Sequence, residues 1–200
     1  METREKIVST ALKLFLQKGF YHVSLAMIAA EVGISKPAIY HHFQNKEALV
    51  EGVLDFFTYR MTAWNRDYLA DLSSGRDYIN KIFQAIPIYK NVEKILLEED
   101  TEEYPYTYNN LLQILSKYKP EFRERIARDA RNFREVLTRN IIASQAEGTI
   151  KSDIDPSSLA ILIHTVLEGS AFITELDGSL DVDILAADLL NITWKLIEKK

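Results

Sequence analysis

Residues 24–47, which read SLAMIAAEVGISKPAIYHHFQNKE, predict two short helices separated by a tight turn. Apolar side chains recur at the i, i+3, i+4, i+7 spacing of one helix face, at Leu25, Ile28, Ala29 and Val32. Ser24 stands at the N-cap position of this first helix, and Gly33 stands where the chain must turn with a positive φ. About three residues then separate the first helix from the second, which is the spacing of a helix-turn-helix.

The second helix is expected over residues 36–43. Ser35 provides its N-cap, and Pro37 falls in its first turn, where a missing N–H costs little. Ile39 and Phe43 are expected to point inward, whereas the outer face carries Lys36, Tyr40, His41 and His42. Three consecutive helical residues span about 200°, so the last three cannot all be buried on one face. The segment therefore has the features of a DNA-reading helix.

Here the chain resembles the TetR family of one-component transcriptional regulators. The matching residues are Ser24, Ile28, Ala29, Val32, Gly33, Ser35, Ile39, Tyr40, His42, Phe43, Lys46 and Glu47. The preceding segment 4–20 is similar to the first helix of that family in length, pattern and closing glycine. Two positions depart from the family pattern, because Ser24 replaces a commoner threonine and Pro37 replaces glycine or another small residue.

We predict DNA contacts from eight residues in this segment. Tyr40 and His41 are expected to reach base edges or methyl groups, and Lys36 to contact a base or a phosphate. The resemblance implies that His42 and Lys46 hold the phosphate backbone, and Lys46 also opens a helix whose N-terminal amides favour an anion. The predicted set is Ser24, Ser35, Lys36, Pro37, Tyr40, His41, His42 and Lys46.

The charge distribution is compatible with DNA binding at one end of the chain only. Residues 1–47 hold six Lys or Arg and four acids, net +2, within a chain whose net charge is −5. There is no cysteine, the charged start METREK shows no signal peptide, and no apolar run approaches the ~20 residues of a membrane span. We therefore expect a cytoplasmic protein without membrane association.

The fold class expected is all-α, with a helix-turn-helix DNA-binding domain at 1–47 and a helical ligand-binding and dimerisation domain at 48–200. No stretch alternates at period two. Ser73, Ser74 and Gly75 are expected to end the first long helix, and Pro87 to kink or split the next helical region. The acidic run 98–103 and Pro105 mark a loop. The predicted body helices are 46–72, 77–86, 88–97, 106–118, 121–146, 156–176 and 182–198.

The last two predicted helices are apolar on nearly all sides, whereas a surface helix needs one apolar stripe. One stripe could face the chain's own core and the other a second copy. Helix-turn-helix regulators use two-fold symmetry to read palindromes, and the resembled family pairs through its C-terminal helices. The alternative is a central helix pair wrapped by its own chain. The residues expected at the dimer interface are Leu162, Val166, Gly169, Ser170, Ile173, Leu189 and Trp194.

Catalytic and metal chemistry find little support. His164 and Glu168 lie four apart on one helix, but no third ligand can be named, so we expect no metal site and no cofactor. No glycine-rich phosphate loop, Gly-x-Ser-x-Gly or His-Glu-x-x-His motif is present, which argues against an enzyme. Tyrosines are abundant beyond residue 47, and tyrosine suits both core packing and pockets for amphipathic ligands. A ligand cavity is implied by the resemblance alone, and its lining residues are unassigned.

The function expected is a ligand-responsive regulator, a repressor that a small, largely apolar or amphipathic ligand releases from DNA. Its partners would be a palindromic double-stranded operator, the small-molecule effector and a second copy of the chain. Ligand binding would tilt the helix 46–72 and so displace the helix-turn-helix domains of the two subunits. The alternatives are a helical scaffold for protein interactions without specific DNA binding, and a small-molecule carrier or enzyme.

Overall fold

The computed structural model describes residues 3–70, 72, 74–89, 92–97 and 104–199. These residues form helices and no β-sheet, and a single isolated bridge joins Ile150 to Glu198. The all-α prediction is therefore confirmed. The helices are α1 (Thr3–Lys18), α2 (Leu25–Val32), α3 (Lys36–His42), α4 (Lys46–Tyr68), α5 (Gly75–Gln84), α6 (Ile86–Tyr89), α7 (Val92–Leu97), α8 (Tyr108–Tyr118), α9 (Pro120–Ala146), α10 (Pro156–Leu176) and α11 (Val182–Ile197), with a 3-10 turn at Phe20–His22.

The chain forms two compact units. Unit 1 combines Met1–Tyr68 with Val92–Ile126, and unit 2 combines Leu69–Asn91 with Ala127–Lys200. In unit 1 the three N-terminal helices pack together with α4, α7 and α8. The boundary predicted after residue 47 stays a prediction about function, because it does not coincide with the limits of either unit.

The head of unit 1, α1 to α3, forms for the local reasons that the sequence indicates. The Ser24 hydroxyl accepts a hydrogen bond from the Met27 N–H at 3.3 Å, and the Ser35 hydroxyl accepts one from the Ala38 N–H at 3.3 Å. Gly33 ends α2 in the left-handed conformation, with φ of 80°. Both caps and the turn are thus confirmed, and they fix the geometry between the two short helices.

The remainder of unit 1 packs around α4 and α8. Thr107 and Asn110 form a reciprocal capping box at the start of α8. Buried Glu93 on α7 accepts a hydrogen bond from the Tyr108 N–H at 2.6 Å. The Tyr108 ring stacks on Phe57 of α4, with centroids 4.0 Å apart. These contacts tie α7 and α8 to the middle of α4.

Unit 2 has a core formed by α5, α6, the later part of α9, α10 and α11. Its buried residues include Ile79 and Phe83 of α5 and Leu137 of α9. Trp194 of α11 donates from Nε1 to Asn80 at 2.8 Å, and the Arg76 guanidinium lies 4.1 Å from the centre of the Trp194 rings. The indole is therefore held at its ring nitrogen and over one face within this unit.

Several predicted helix boundaries differ from the structure by a few residues, and the predicted helix 88–97 corresponds to α6 and α7. The helix α4 ends at Tyr68 rather than at residue 72, and Ser74 begins α5 as its N-cap instead of ending α4. The break near Pro87 falls earlier, at Ala85, because proline is tolerated in the first turn of α6. The predicted loop at 98–103 and the terminator Ser73 lie outside the described residues.

The buried Tyr78 on α5 gives a prediction about alkaline stability. Burial raises the pKa of its phenol to about 12, and the nearby charge of Arg139 opposes this shift. In the unfolded chain tyrosine titrates near 10, so the contribution to stability is complete below pH 10 and is lost as pH rises towards 12. We expect the free energy of unfolding to fall by about 2 kcal/mol more in the wild type than in Tyr78→Phe across this range. Urea unfolding of both proteins at pH 9 to 12 measures this difference, and parallel curves would contradict it.

Candidate nucleic-acid interface and subunit surface

The exposed face of α3 carries four of the predicted DNA contacts. At about 100° per residue, Lys36, Pro37, Tyr40 and His41 fall within about 140° of one another, and all four are exposed. Tyr40 remains 43% exposed although it is a large aromatic residue. Ile39 on the opposite side is fully buried. The helix therefore presents one cation, two aromatic rings and an apolar ring to solvent, as the sequence predicts.

Three further predicted contacts flank this face. Ser24 and Ser35 are exposed, and each uses a lone pair for its cap while its hydroxyl hydrogen stays available to donate. His42 is also exposed, but it points away from Tyr40 by about 160°, and its ring contacts that of His41 at 5.8 Å. The structure thus leaves all three accessible.

Lys46 is placed differently from the expectation. Its ammonium donates to the carbonyl oxygens of Phe20 at 2.5 Å and Val23 at 2.7 Å, and it lies 4.0 Å from the centre of the Phe20 ring. Burial lowers the pKa of this amine, and the charge of Glu47 opposes the shift. Two of its three N–H donors are therefore used inside unit 1. The expectation that Lys46 holds a phosphate stays a prediction, and the structure shows that Lys46 is engaged with its own chain.

A stripe of acids on α4 faces the corner between α8 and α9. Glu47 accepts a hydrogen bond from the Tyr118 hydroxyl at 3.0 Å and lies 3.6 Å from the Lys119 ammonium. One turn further on, the Arg125 guanidinium reaches Glu51 at 3.1 Å and, another turn on, Asp55 at 2.8 Å. The pKa of Glu47 is lowered, first by its own backbone N–H and then by Tyr118.

A groove of about 430 Å³ runs beside the outer face of α4 in unit 1. Arg125 and Arg66 provide guanidinium groups, Tyr59 provides a ring that is 70% exposed, and two threonines provide hydroxyls. The full lining is Asp55, Thr58, Tyr59, Thr62, Ala63, Arg66 and Arg125. The groove therefore offers hydrogen-bond donors beside apolar surface, and the sequence carried no motif by which to find it.

The helices α10 and α11 each have one buried and one exposed apolar stripe. The α10 stripe that faces the core of unit 2 contains Leu159, Ile163 and Thr174. The exposed stripes contain Ile161, Leu162, Phe172, Ile173 and Leu176 on α10 and Ile184, Ile192 and Leu196 on α11, each between 49% and 72% exposed. The two helices pack against each other, so these stripes belong to neighbouring elements of one surface.

Two of the seven predicted dimer residues point into the core of their own unit. Ser170 is 4% exposed and its hydroxyl donates to the Val166 carbonyl oxygen, and Trp194 is 8% exposed. Both expectations are corrected, because a side chain packed inside its own unit cannot face a second copy. Leu162 and Ile173 lie on the exposed stripe, Gly169 has no neighbouring atom where a Cβ would be, and Val166 and Leu189 are partly buried against the unit 2 core.

Among the described residues α10 is also the one helix long and apolar enough to cross a membrane, by length and composition alone. Its buried stripe includes Ser170 and Thr174, whose hydroxyls donate to carbonyl oxygens within the helix. One side of α10 is already packed in the core of unit 2. The helix therefore needs a partner for one face only.

His164 lies between Glu168 on its own helix and Arg134 on α9, within hydrogen-bonding distance of both. His164 Nε2 lies 3.4 Å from Glu168, and His164 Nδ1 lies 3.3 Å from Arg134. An arginine can only donate, so Nδ1 accepts and Nε2 carries the proton toward the carboxylate. In the described part of the chain no cluster of three metal-ligating side chains occurs.

Comparison with known proteins finds a family model of bacterial regulators for a segment in each half of the chain. Residues 7–53 match the model of "Bacterial regulatory proteins, tetR family", and residues 109–190 match "Tetracyclin repressor-like, C-terminal domain". The HTH-type regulator YerO of Bacillus subtilis is 43% identical over 56 residues, which are 28% of this chain and 19% of YerO. SrpR of Pseudomonas putida, a transcriptional regulator, is 26% identical over 122 residues, which are 58% of this chain and 56% of SrpR.

This chain thus spans about a fifth of the first relative and about half of the second. Among solved structures, a putative transcriptional regulator from Saccharomonospora viridis in complex with choline superposes with a TM-score of 0.79 over 98% of both chains, at 19% identity. That likeness concerns the fold. Together with the capped turn, the exposed α3 face and the two family models, it supports one conclusion: the chain belongs to the TetR family of transcriptional regulators.

Proposed function

We propose that this protein is a DNA-binding transcriptional regulator that acts as a homodimer and releases its operator when a small ligand binds. The observation that carries the proposal is the exposed face of α3, which follows the capped helix-turn-helix and projects Lys36, Tyr40 and His41 into solvent. An α-helix with such side chains fits the major groove, where base edges are distinguishable. The family membership supports a regulatory role without catalysis.

The proposed dimer uses the exposed stripes of α10 and α11. Large apolar side chains on two neighbouring helices are about half exposed or more, and a large exposed apolar patch is typical of an interaction surface. A second copy would cover the stripes in an isologous interface, with each subunit contributing the same surface. Two reading heads would then bind a palindromic operator whose half-sites are separated by about one DNA turn or a multiple of it.

The proposed effector is a small amphipathic ligand, and the groove beside α4 supports this class. Arg125 lines the groove and also holds Glu51 and Asp55 on α4. A ligand that contacts Arg125 would weaken these ion pairs and so alter how α4 is held, and α4 begins directly after the reading head. A coupling of about 1–3 kcal/mol between ligand and DNA would change operator affinity by roughly 5-fold to 150-fold. The repressor-like C-terminal family model supports release on ligand binding.

The DNA-binding part of the proposal is tested by His41→Ala. We expect the variant to lose about 1–3 kcal/mol of specific binding, which is the typical worth of a base contact, while its helical content stays unchanged. The probe is the duplex that the wild type selects from a random-sequence library, measured by gel-shift titration. The matched control is His22→Ala, which removes an exposed imidazole of the same head that does not belong to α3, and it should leave affinity unchanged.

An unchanged affinity of His41→Ala for the selected duplex would show that His41 does not contact the bases. The alternative of a helical scaffold without specific DNA binding has a separate signature. Phosphate contacts release counterions, so specific and non-specific DNA binding must weaken as salt rises. A protein that selects no duplex and shows no salt-dependent DNA binding would be such a scaffold.

A further inference from the structure

The turn that leads into α2 is contacted by two residues that lie outside the exposed face of α3, which we call the reading face. Residues 20–23 form this turn, and Ser24, the N-cap of α2, follows at once. The Lys46 ammonium joins the two ends of the turn, because it binds the carbonyl oxygens of Phe20 and Val23. The only backbone bond across the same ends, from the Val23 N–H to Phe20 O, is long at 3.4 Å. Among the described residues, the two hydrogen bonds of Lys46 are therefore shorter than the backbone hydrogen bond that joins the ends of this turn.

The second set of contacts with the turn comes from Tyr118 at the end of α8. Its ring packs edge-to-face on Phe20, with centroids 5.0 Å apart, and lies 6.3 Å from the ring of Tyr21. Its hydroxyl donates to Glu47, the residue next to Lys46. Two consecutive residues at the start of α4 thus hold different elements: Lys46 holds the turn before α2, and Glu47 holds the end of α8.

We propose that Lys46 is a positioning residue that fixes the entry to α2, and that Tyr118 and Glu47 connect this entry to the corner between α8 and α9. The proposal rests on the proposed DNA-binding function, since the position of α2 sets the position of α3 against DNA. A half-buried ammonium with two carbonyl acceptors makes charge-assisted bonds that are stronger than neutral ones. Their loss would free the turn without removing any group from the reading face.

A positioning role and a phosphate contact predict different salt dependences. Each phosphate contact contributes about 0.9 to the slope of log affinity against log salt. Loss of a positioning residue should instead weaken binding at every salt concentration and leave the slope unchanged. It should also loosen the turn in the free protein, where the amides of Val23 and Met27 donate to Phe20 O and to the Ser24 hydroxyl.

The test compares Lys46→Met, which keeps an apolar side chain of similar length, with Lys36→Met, which removes an exposed lysine from the reading face. In Lys46→Met we expect hydrogen exchange at Val23 and Met27 to accelerate about tenfold and affinity for the selected duplex to fall about tenfold, with the salt slope unchanged. In Lys36→Met we expect the slope to fall by about one and exchange at these amides to stay as in the wild type.

The proposal is overturned if Lys46→Met loses about one unit of salt slope while exchange at Val23 and Met27 is unaltered. Should Lys46→Met fail to fold, Tyr118→Phe provides a second test, because it keeps the ring contacts and removes only the bond to Glu47. We expect about threefold faster exchange at Val23 in Tyr118→Phe, and wild-type exchange there would refute the connection. The exchange measurements need no DNA, so they stand even if the wild type selects no duplex and the proposed function fails.

Discussion

We expect Leu162→Glu to convert the protein from dimer to monomer and to weaken operator binding by at least about a hundredfold. Leu162 is 51% exposed on the apolar stripe of α10, so the single chain tolerates a charge there. In the proposed dimer the same position is covered by a second copy, and an uncompensated charge in such an interface costs about 3–5 kcal/mol. A lone head also makes too few DNA contacts for tight binding, because two half-sites are then no longer bound together.

The matched control is Ile142→Glu, which places the same charge on α9 at a side chain that is also 51% exposed. This variant should remain dimeric and bind the operator as the wild type does. Sedimentation velocity at several concentrations measures the oligomeric state, and circular dichroism shows whether helical content survives. A stable Leu162→Glu dimer with normal DNA affinity would place the dimer interface elsewhere. If the exposed stripe contacted lipid instead, the wild type would bind vesicles of zwitterionic lipid and Leu162→Glu would not.

The choice of Leu162 over Ser170 depends on information that the sequence does not contain. Both α10 and α11 are apolar on two sides, so periodicity shows that two stripes exist and does not show which one faces the core. From the sequence, Ser170 is expected at the dimer interface together with its neighbour Gly169. In the structure Ser170 uses its small size against the core of its own unit. The same ambiguity misplaced Trp194, whose indole is held by Asn80 and Arg76.

The head could be predicted closely because its signals are local. A serine cap, a glycine turn and an i, i+3, i+4, i+7 stripe are each determined within a few residues, and Ser24, Gly33 and Ser35 all behave as expected. The boundaries near Pro87 and Ser74 were harder, since one residue type can either begin or end a helix. Ser74 is the N-cap of α5, because its hydroxyl oxygen accepts a hydrogen bond from the Asp77 N–H, and the Ser-x-x-Asp spacing is the local signal for this role.

Lys46 shows why a candidate site is less predictable than its helices. Its place at a helix start beside the reading head is visible in the sequence and is equally compatible with a phosphate contact or an internal contact. The carbonyls that engage it belong to residues 23 and 26 positions earlier, and contacts across such separations leave no periodic signal. The same holds for Arg125, whose partner Glu51 is 74 residues away.

The close approach of α5 to α9 at Gly75 leads to the second large expected effect. A Cβ added at Gly75 would lie 1.8 Å from the Ser144 Oγ and 2.8 Å from the Asn140 carbonyl oxygen, and Ser144 is fully buried. A side-chain atom could rotate away, but the backbone carbonyl belongs to α9 and cannot move without displacing the helix. Gly→Ala at an unstrained position stabilises by about 0.4–1 kcal/mol, so destabilisation here reports the contact itself.

We therefore expect Gly75→Ala to lower the free energy of unfolding by about 3 kcal/mol, the upper part of the range for overpacked cores. Gly178→Ala is the control, because no atom lies within 4 Å of its added Cβ, and it should instead raise the free energy of unfolding by about 0.4–1 kcal/mol. Adding Ser144→Gly to Gly75→Ala removes the nearest atoms and should restore part of the loss, whereas the contact with Asn140 O remains. Urea unfolding at one fixed protein concentration measures the wild type, these three variants and Ser144→Gly alone, since the stability of a dimer depends on concentration. Strictly additive effects of the two substitutions would show that the Gly75 and Ser144 contact does not limit the packing of α5 on α9.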